Sequence, residues 1–218
     1  MKKIFMMLAI VFCLSLGFMS CESCKKDKDT TPEDNQSEVV VKGELNVDNI
    51  TGTDRQYMFT NYGEDYRWFE SCILLQDFLD EENDGTVAGV SNVFQVVNMS
   101  EDQKSADVFV VLAAHTPDST AYEVKQGFWV EDYPLNDEAI KVSFKDAYDK
   151  VMAVNMPKPH SRHVVLRKEV GPVDANPQYI FGNVEAQIYV DAVTGDVSDK
   201  NPAWPEAQGF KMPLGEWP

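Results

Sequence analysis

The sequence predicts an α+β protein, antiparallel strands with a packed helix, and three stretches carry that prediction. In "SFKDAYDKVMAVN", residues 143–155, Phe144, Ala147, Tyr148, Val151 and Met152 fall at i, i+3, i+4, i+7 and i+8 and share one helical face. The stretches "RHVVLRKEV", "QYIFGN" and "AQIYVDAV" that follow read as strands, separated by "GPVDANP" and a tight Gly182-Asn183 turn. Residues 87–131 read as a meander of "TVAGVSNVFQVV", "ADVFVVLAAH" and "AYEVKQGFWV", interrupted by the turn formers of "SEDQKS" and "TPDST".

Taken from the start, the chain opens with Lys2 and Lys3 ahead of an apolar run from Ile4 to Met19, the layout of a secretory signal over residues 1–20. The run ends in "FMSC", which resembles the lipobox of bacterial lipoproteins. That resemblance implies cleavage before Cys21 and lipidation of its sulfur, with Cys24 or ordinary signal cleavage as the alternatives. Residues 21–37 are poor in apolar side chains and rich in both charges, the composition of a solvated tether. Together these point to a membrane-anchored lipoprotein of the bacterial envelope, and the composition resembles that of compact Bacteroidetes-type lipoproteins.

Residues 38–140 form a β-rich α+β region. It begins with "EVVVKGELNV", a strand that could add to a sheet edge. The next hydrophobic stretch, "YRWFESCILLQDFL" (66–79), is ambiguous: Trp68, Cys72, Leu75 and Leu79 suit a helix, but Ile73, Leu74 and Phe78 fall off that face and suit a buried strand. Helix is the preferred reading, and it would give both halves an α-β-β-β order, two tandem units. The helix at 143–155 begins with Ser143 and Asp146 in a capping-box arrangement, carries Asp146 and Lys150 as an i,i+4 pair, and ends at Asn155 and Pro157. In the last strand Ala186, Ile188 and Val190 share one face; Glu185, Gln187, Tyr189 and Asp191 share the other. Residues 201–218 hold Pro202, Pro205, Pro213 and Pro218 with Trp204, Phe210 and Trp217, and read as a strap burying its aromatics over the sheet.

With the helix, the strand from Arg162 to Val170, "PQYIF" and the closing "VDAVTGDV" in place, residues 141–200 resemble the PepSY-like domain family of exported bacterial proteins. The resemblance implies a β-lactamase-inhibitor-like α+β fold and a non-catalytic binding or inhibitory role near peptidases or the cell envelope. It carries over no catalytic residue.

Several clusters look like sites and are better explained otherwise. Asp191, Thr194 and Gly195 crowd the end of the last strand, but an Asp accepting turn amides beside a glycine able to take positive φ describes a structural corner. In "DEENDG", Asp80, Glu82 and Asp84 alternate ahead of Gly85 as in a calcium loop, yet Ser91 stands where the bidentate glutamate is needed. They are weak metal candidates, and a charged hairpin is preferred. His160 and His163 point to opposite faces if extended, and His115 has no evident partner. The lone core cysteine, Cys72, reads as packing. No G-x-S-x-G, H-E-x-x-H or phosphate loop occurs, so neither an enzyme nor a cofactor is expected.

The formal net charge of −17, more negative once Lys2 and Lys3 leave with the signal, disfavours nucleic acid and suits basic partners. The expected function is binding of a protein or peptide, and the family resemblance implies regulation of a peptidase; the alternative is a cell-surface carbohydrate-binding protein or hydrolase accessory with Trp68, Trp129 or Trp204 as platforms.

Overall fold

The computed structural model describes residues 45–99 and 106–205. The elements run α1 (Val47–Tyr62), β1 (Tyr66–Leu75), β2 (Val87–Met99), β3 (Ala106–Thr116), β4 (Ser119–Gln126), β5 (Asp132–Tyr133), a 3-10 turn (Asp137–Ala139), α2 (Phe144–Ala153), β6 (His163–Glu169), β7 (Gln178–Asn183), β8 (Ala186–Asp191) and β9 (Val197–Ser198). The strands form one nine-stranded antiparallel sheet in the order β4-β3-β2-β1-β6-β7-β8-β9, with β5 beside β6. The molecule is therefore α+β, mostly antiparallel sheet with two helices. Each helix precedes its own run of strands, and the two runs join through their first strands, β1 against β6 from Glu70↔Arg167 to Leu74↔His163.

Register places both helices on one face of the sheet. Directly opposed residues share a face, so Phe94 and Val111, Ile73 and Val90, Ile73 and Val164, Val164 and Phe181, and Phe181 and Ile188 form a continuous apolar row. Helix α2 packs Phe144, Ala147, Tyr148 and Val151 onto this row. Ser143 caps it, its hydroxyl accepting from the Asp146 amide at 3.1 Å. Helix α1 buries Val47, Ile50, Thr51, Asp54 and Met58. It is capped by Asn46, whose side chain accepts from the Asn49 amide at 2.9 Å, and it stops at Gly63, φ 63°.

Several sequence expectations change here. Residues 66–79 are not helical: 66–75 is strand β1, the centre of the sheet, with Trp68, Phe69, Glu70 and Ser71 all buried. A strand covered on both faces loses the alternation that identifies strands, which is why the stretch read ambiguously. The helix of the first half lies earlier, and Val47, expected at the end of a strand, opens it. Residues 38–44 of that expected strand lie outside the described residues, as do Cys21 and the "SEDQKS" connection.

The β7–β8 turn is centred on Val184 and Glu185, not on Gly182 and Asn183, because Asn183 still pairs with Ala186. Tyr189 is buried along with Ile188 and Val190, so β8 is covered on both faces. Strand β4 ends at Gln126, before Gly127 (φ 149°), leaving Phe128 and Val130 70% and 77% exposed. In the expected strap Ala203 is buried, but Trp204 is 58% exposed; Phe210 and Trp217 lie outside the described residues. Among the described residues no helix is long and apolar enough to cross a membrane.

Candidate functional site

The corner after β8 is built by its own hydrogen bonds. Asp191 Oδ1 accepts from the amides of Val193 (2.8 Å) and Thr194 (2.9 Å), Asn176 Nδ2 donates to Oδ2 (2.9 Å), and Gly195, φ 77°, donates its amide to the Asp191 carbonyl at 2.8 Å. Burial alone would raise the Asp191 pKa, but the Thr194 amide, the Asn176 side chain and the Val193 amide outweigh it and hold the carboxyl below its ordinary value. Thr194 Oγ1 donates to Asp196 Oδ2 at 2.8 Å. The carboxylates are consumed by the turn.

The acids of the 80–85 loop are likewise directed apart. Asp80 meets His160 Nδ1 at 2.9 Å, and that imidazole stacks on Phe78 with centroids 4.0 Å apart. Asp84 Oδ1 accepts from the Thr86 amide at 3.0 Å and hydroxyl at 2.5 Å. Among the described residues no group of three or more His, Cys, Asp or Glu is arranged to hold a metal. The tryptophans do not line up. Trp68 is buried on the helix side, Trp129 is half-buried on the other face against Asp132, and Trp204 lies in the tail.

His115 does have a partner, Asp54, brought from helix α1 and separated by too much sequence to be guessed. Its Nε2 lies 2.9 Å from both Asp54 carboxylate oxygens, while Nδ1 meets Thr120 Oγ1 at 3.0 Å. Tyr122 donates to Asp54 Oδ1 (2.8 Å), and Asn92 Nδ2 to Oδ2 (2.7 Å). Ser71 and Thr51 both donate to the Asn92 carbonyl oxygen. Asp54 is wholly buried, and this network fixes α1 to β2, β3 and β4.

A second polar cluster lies on the opposite face at the seam between the halves. Glu70 and Cys72 of β1, Asp132 of β5, and Arg167 and Glu169 of β6 converge, with Trp129 Nε1 donating to Asp132 Oδ2 at 3.2 Å. The Cys72 thiol donates to Glu70 Oε1 at 2.9 Å, so its role is more than packing. Arg167 pairs with Glu169 and stands 3.8 Å from Asp132 Oδ1. Burial, then the charge of Glu70, push the Asp132 carboxyl up to about 7 against the opposing pull of Arg167.

Between α1 and the segment leading into α2 the helix-covered face is open. A cleft of about 270 Å³ has Trp68, Leu166 and Tyr179 as its floor, Thr51, Gly52 and Arg55 on one wall, and Ile140, Lys141 and Val142 on the other. A second, of about 480 Å³, continues past Arg55 toward Phe59, Tyr66 and Leu135. The two meet at an ion pair, Arg55 Nη1 to Asp137 Oδ2 at 2.5 Å, with the guanidinium 6.0 Å from the Trp68 ring centroid. Asp48 also lines the smaller cleft, its Oδ1 accepting from the Phe144 amide at 3.3 Å; burial raises its pKa despite that bond.

Gly52 is the distinctive member of the wall. It sits inside α1, and a Cβ there would meet no atom within 4 Å. A glycine in a helix interior costs roughly 0.5–1 kcal/mol against alanine. No neighbour demands that cost, and the position leaves the cleft wall without a side chain.

Compared with family models, curated proteins and solved structures, the chain matches none.

Proposed function

We propose that this chain is a non-catalytic, exported protein of the bacterial envelope, lipid-anchored through Cys21, that takes a peptide segment of a protein partner into the groove beside Gly52. The PepSY-like reading of its fold belongs to the same proposal, supported by α2 followed by antiparallel β6, β7 and β8 and by the Asp191 corner. The observation that carries the binding site is Gly52, a helix-interior glycine facing open space on the wall of a groove with an aromatic floor. An extended peptide suits the groove because it runs on both sides of Arg55, whose exchange of Asp137 for a peptide carbonyl or carboxylate would join the two clefts. The net charge of −17 steers basic segments toward the molecule as a whole.

The test is binding of the full chain to an array of short peptides graded in charge, comparing wild type with Gly52→Leu. Wild type should retain basic peptides, and Gly52→Leu should lose them at undiminished thermal stability, since leucine favours helix over glycine. Equal binding by both proteins, or no binding by either, sinks the groove reading.

A further inference from the structure

We infer that strand β4 is a self-complementary edge through which two copies of this chain pair antiparallel. In the strand order β4 has β3 on one side and no described strand on the other. The Gly127 amide donates to the Val108 carbonyl at 3.0 Å, and Val108 lies opposite Gly127 in the continuation of the β3–β4 register. By alternation Ala121, Glu123 and Lys125 turn their backbone groups toward β3, while Thr120, Tyr122, Val124 and Gln126 turn theirs outward. Across a new antiparallel pair outward residues must oppose outward residues as the hydrogen-bonded pairs, which sets inward residues opposite inward ones as the non-hydrogen-bonded pairs between them.

That restriction leaves few symmetric registers, and charge selects among them. Centring the two-fold axis on Glu123 or on Lys125 sets like charges against each other, which destabilises the pair. Centring it on Val124 sets Glu123 against Lys125 of the second copy, and Lys125 against that copy's Glu123. These two side chains share a face and already lie 3.0 Å apart within the chain, so the dimer extends them into a square of four charges of alternating sign. On the other face Val124, 52% exposed, meets its own copy. Tyr122, whose ring stacks on Tyr57 of α1 at 3.8 Å, comes beside Gln126 of the second copy. The contact is isologous, as a two-fold dimer requires.

Sedimentation of the purified full chain over a concentration series tests this with charge reversal. Wild type should dimerise, and Glu123→Lys or Lys125→Glu alone should raise the dimer Kd about tenfold or more. Mixing the two variants should restore a dimer, because each then meets its opposite. As a second measure, Val124→Cys should give an intermolecular disulfide absent from wild type, since directly opposed hydrogen-bonded residues lie about 5.5 Å apart at Cα. A wild type that remains monomeric overturns the inference. So does a dimer indifferent to both reversals, or a mixture no tighter than either variant alone.

Discussion

The two halves of the molecule hold a helix against the same sheet face by different means. Helix α2 is held by an apolar stripe, Phe144, Ala147, Tyr148 and Val151, spread over several partners. Helix α1 is held in large part by one carboxylate, Asp54, which takes hydrogen bonds from three strands. Apolar burial is distributed and degrades gradually, whereas a buried polar network concentrates its stability in one residue. The first half should therefore be brittle where the second is tolerant.

The largest effect is expected from Asp54→Ala, which strands His115 and Asn92 as buried donors, removes the acceptor of the half-buried Tyr122 hydroxyl and should cost about 3–5 kcal/mol in urea unfolding. Loss of under about 1 kcal/mol would mean that the apolar contacts of α1 suffice. Val151→Ala, at a wholly buried position of α2, should cost less, about 2 kcal/mol. If Val151→Ala proves the more damaging, the contrast between the halves is reversed.

The same contrast decides what the sequence discloses. Helix α2, its cap, and strands β2, β3, β6, β7 and β8 follow from periodicity and turn residues, because their buried faces are apolar. Helix α1 buries Thr51 and Asp54 among its inward residues, so its stripe is absent from the hydrophobic pattern. Its termini did carry signals, Asn46 as a cap and Gly63 as a stop. Strand β1 was hidden for the opposite reason, since it is buried on both faces. The corner at Asp191 was legible because its bonds are local. The groove was not, since Gly52, Trp68 and Asp137 meet Leu166 and Tyr179 only after the halves join.

Between the halves, the seam offers a pH signature. Asp132 binds its proton more tightly folded than unfolded, so its contribution to stability is present below the ordinary carboxylate pKa and is lost as pH rises toward about 7. Asp132→Asn should flatten the fall in unfolding free energy between pH 4 and pH 7, read from urea midpoints. A slope unchanged by that substitution would show that another group titrates there. The smallest effect belongs to the second half. Asp191→Ala should cost about 1 kcal/mol at neutral pH through lost turn bonds, with peptide retention unchanged. Its sign is opposite to that of the seam: the folded carboxyl is held below its ordinary value, so its stabilisation is lost as pH falls through the acid range. An Asp191→Ala protein as stable as wild type that no longer retains peptides would make the corner a binding element.

The pairing of β1 with β6 also has a kinetic meaning. Strands β2, β3 and β4 follow one another as neighbours, and so do β6, β7 and β8, but Glu70 must find Arg167 across most of the intervening chain. Closing so long a loop is entropically dearer than closing a hairpin. The two meanders should thus gain amide protection early in refolding, and the seam amides of Ser71, Ile73, Val164 and Leu166 last. Until that moment each half presents an open strand edge, and crowded chains can join the wrong halves before the right ones meet.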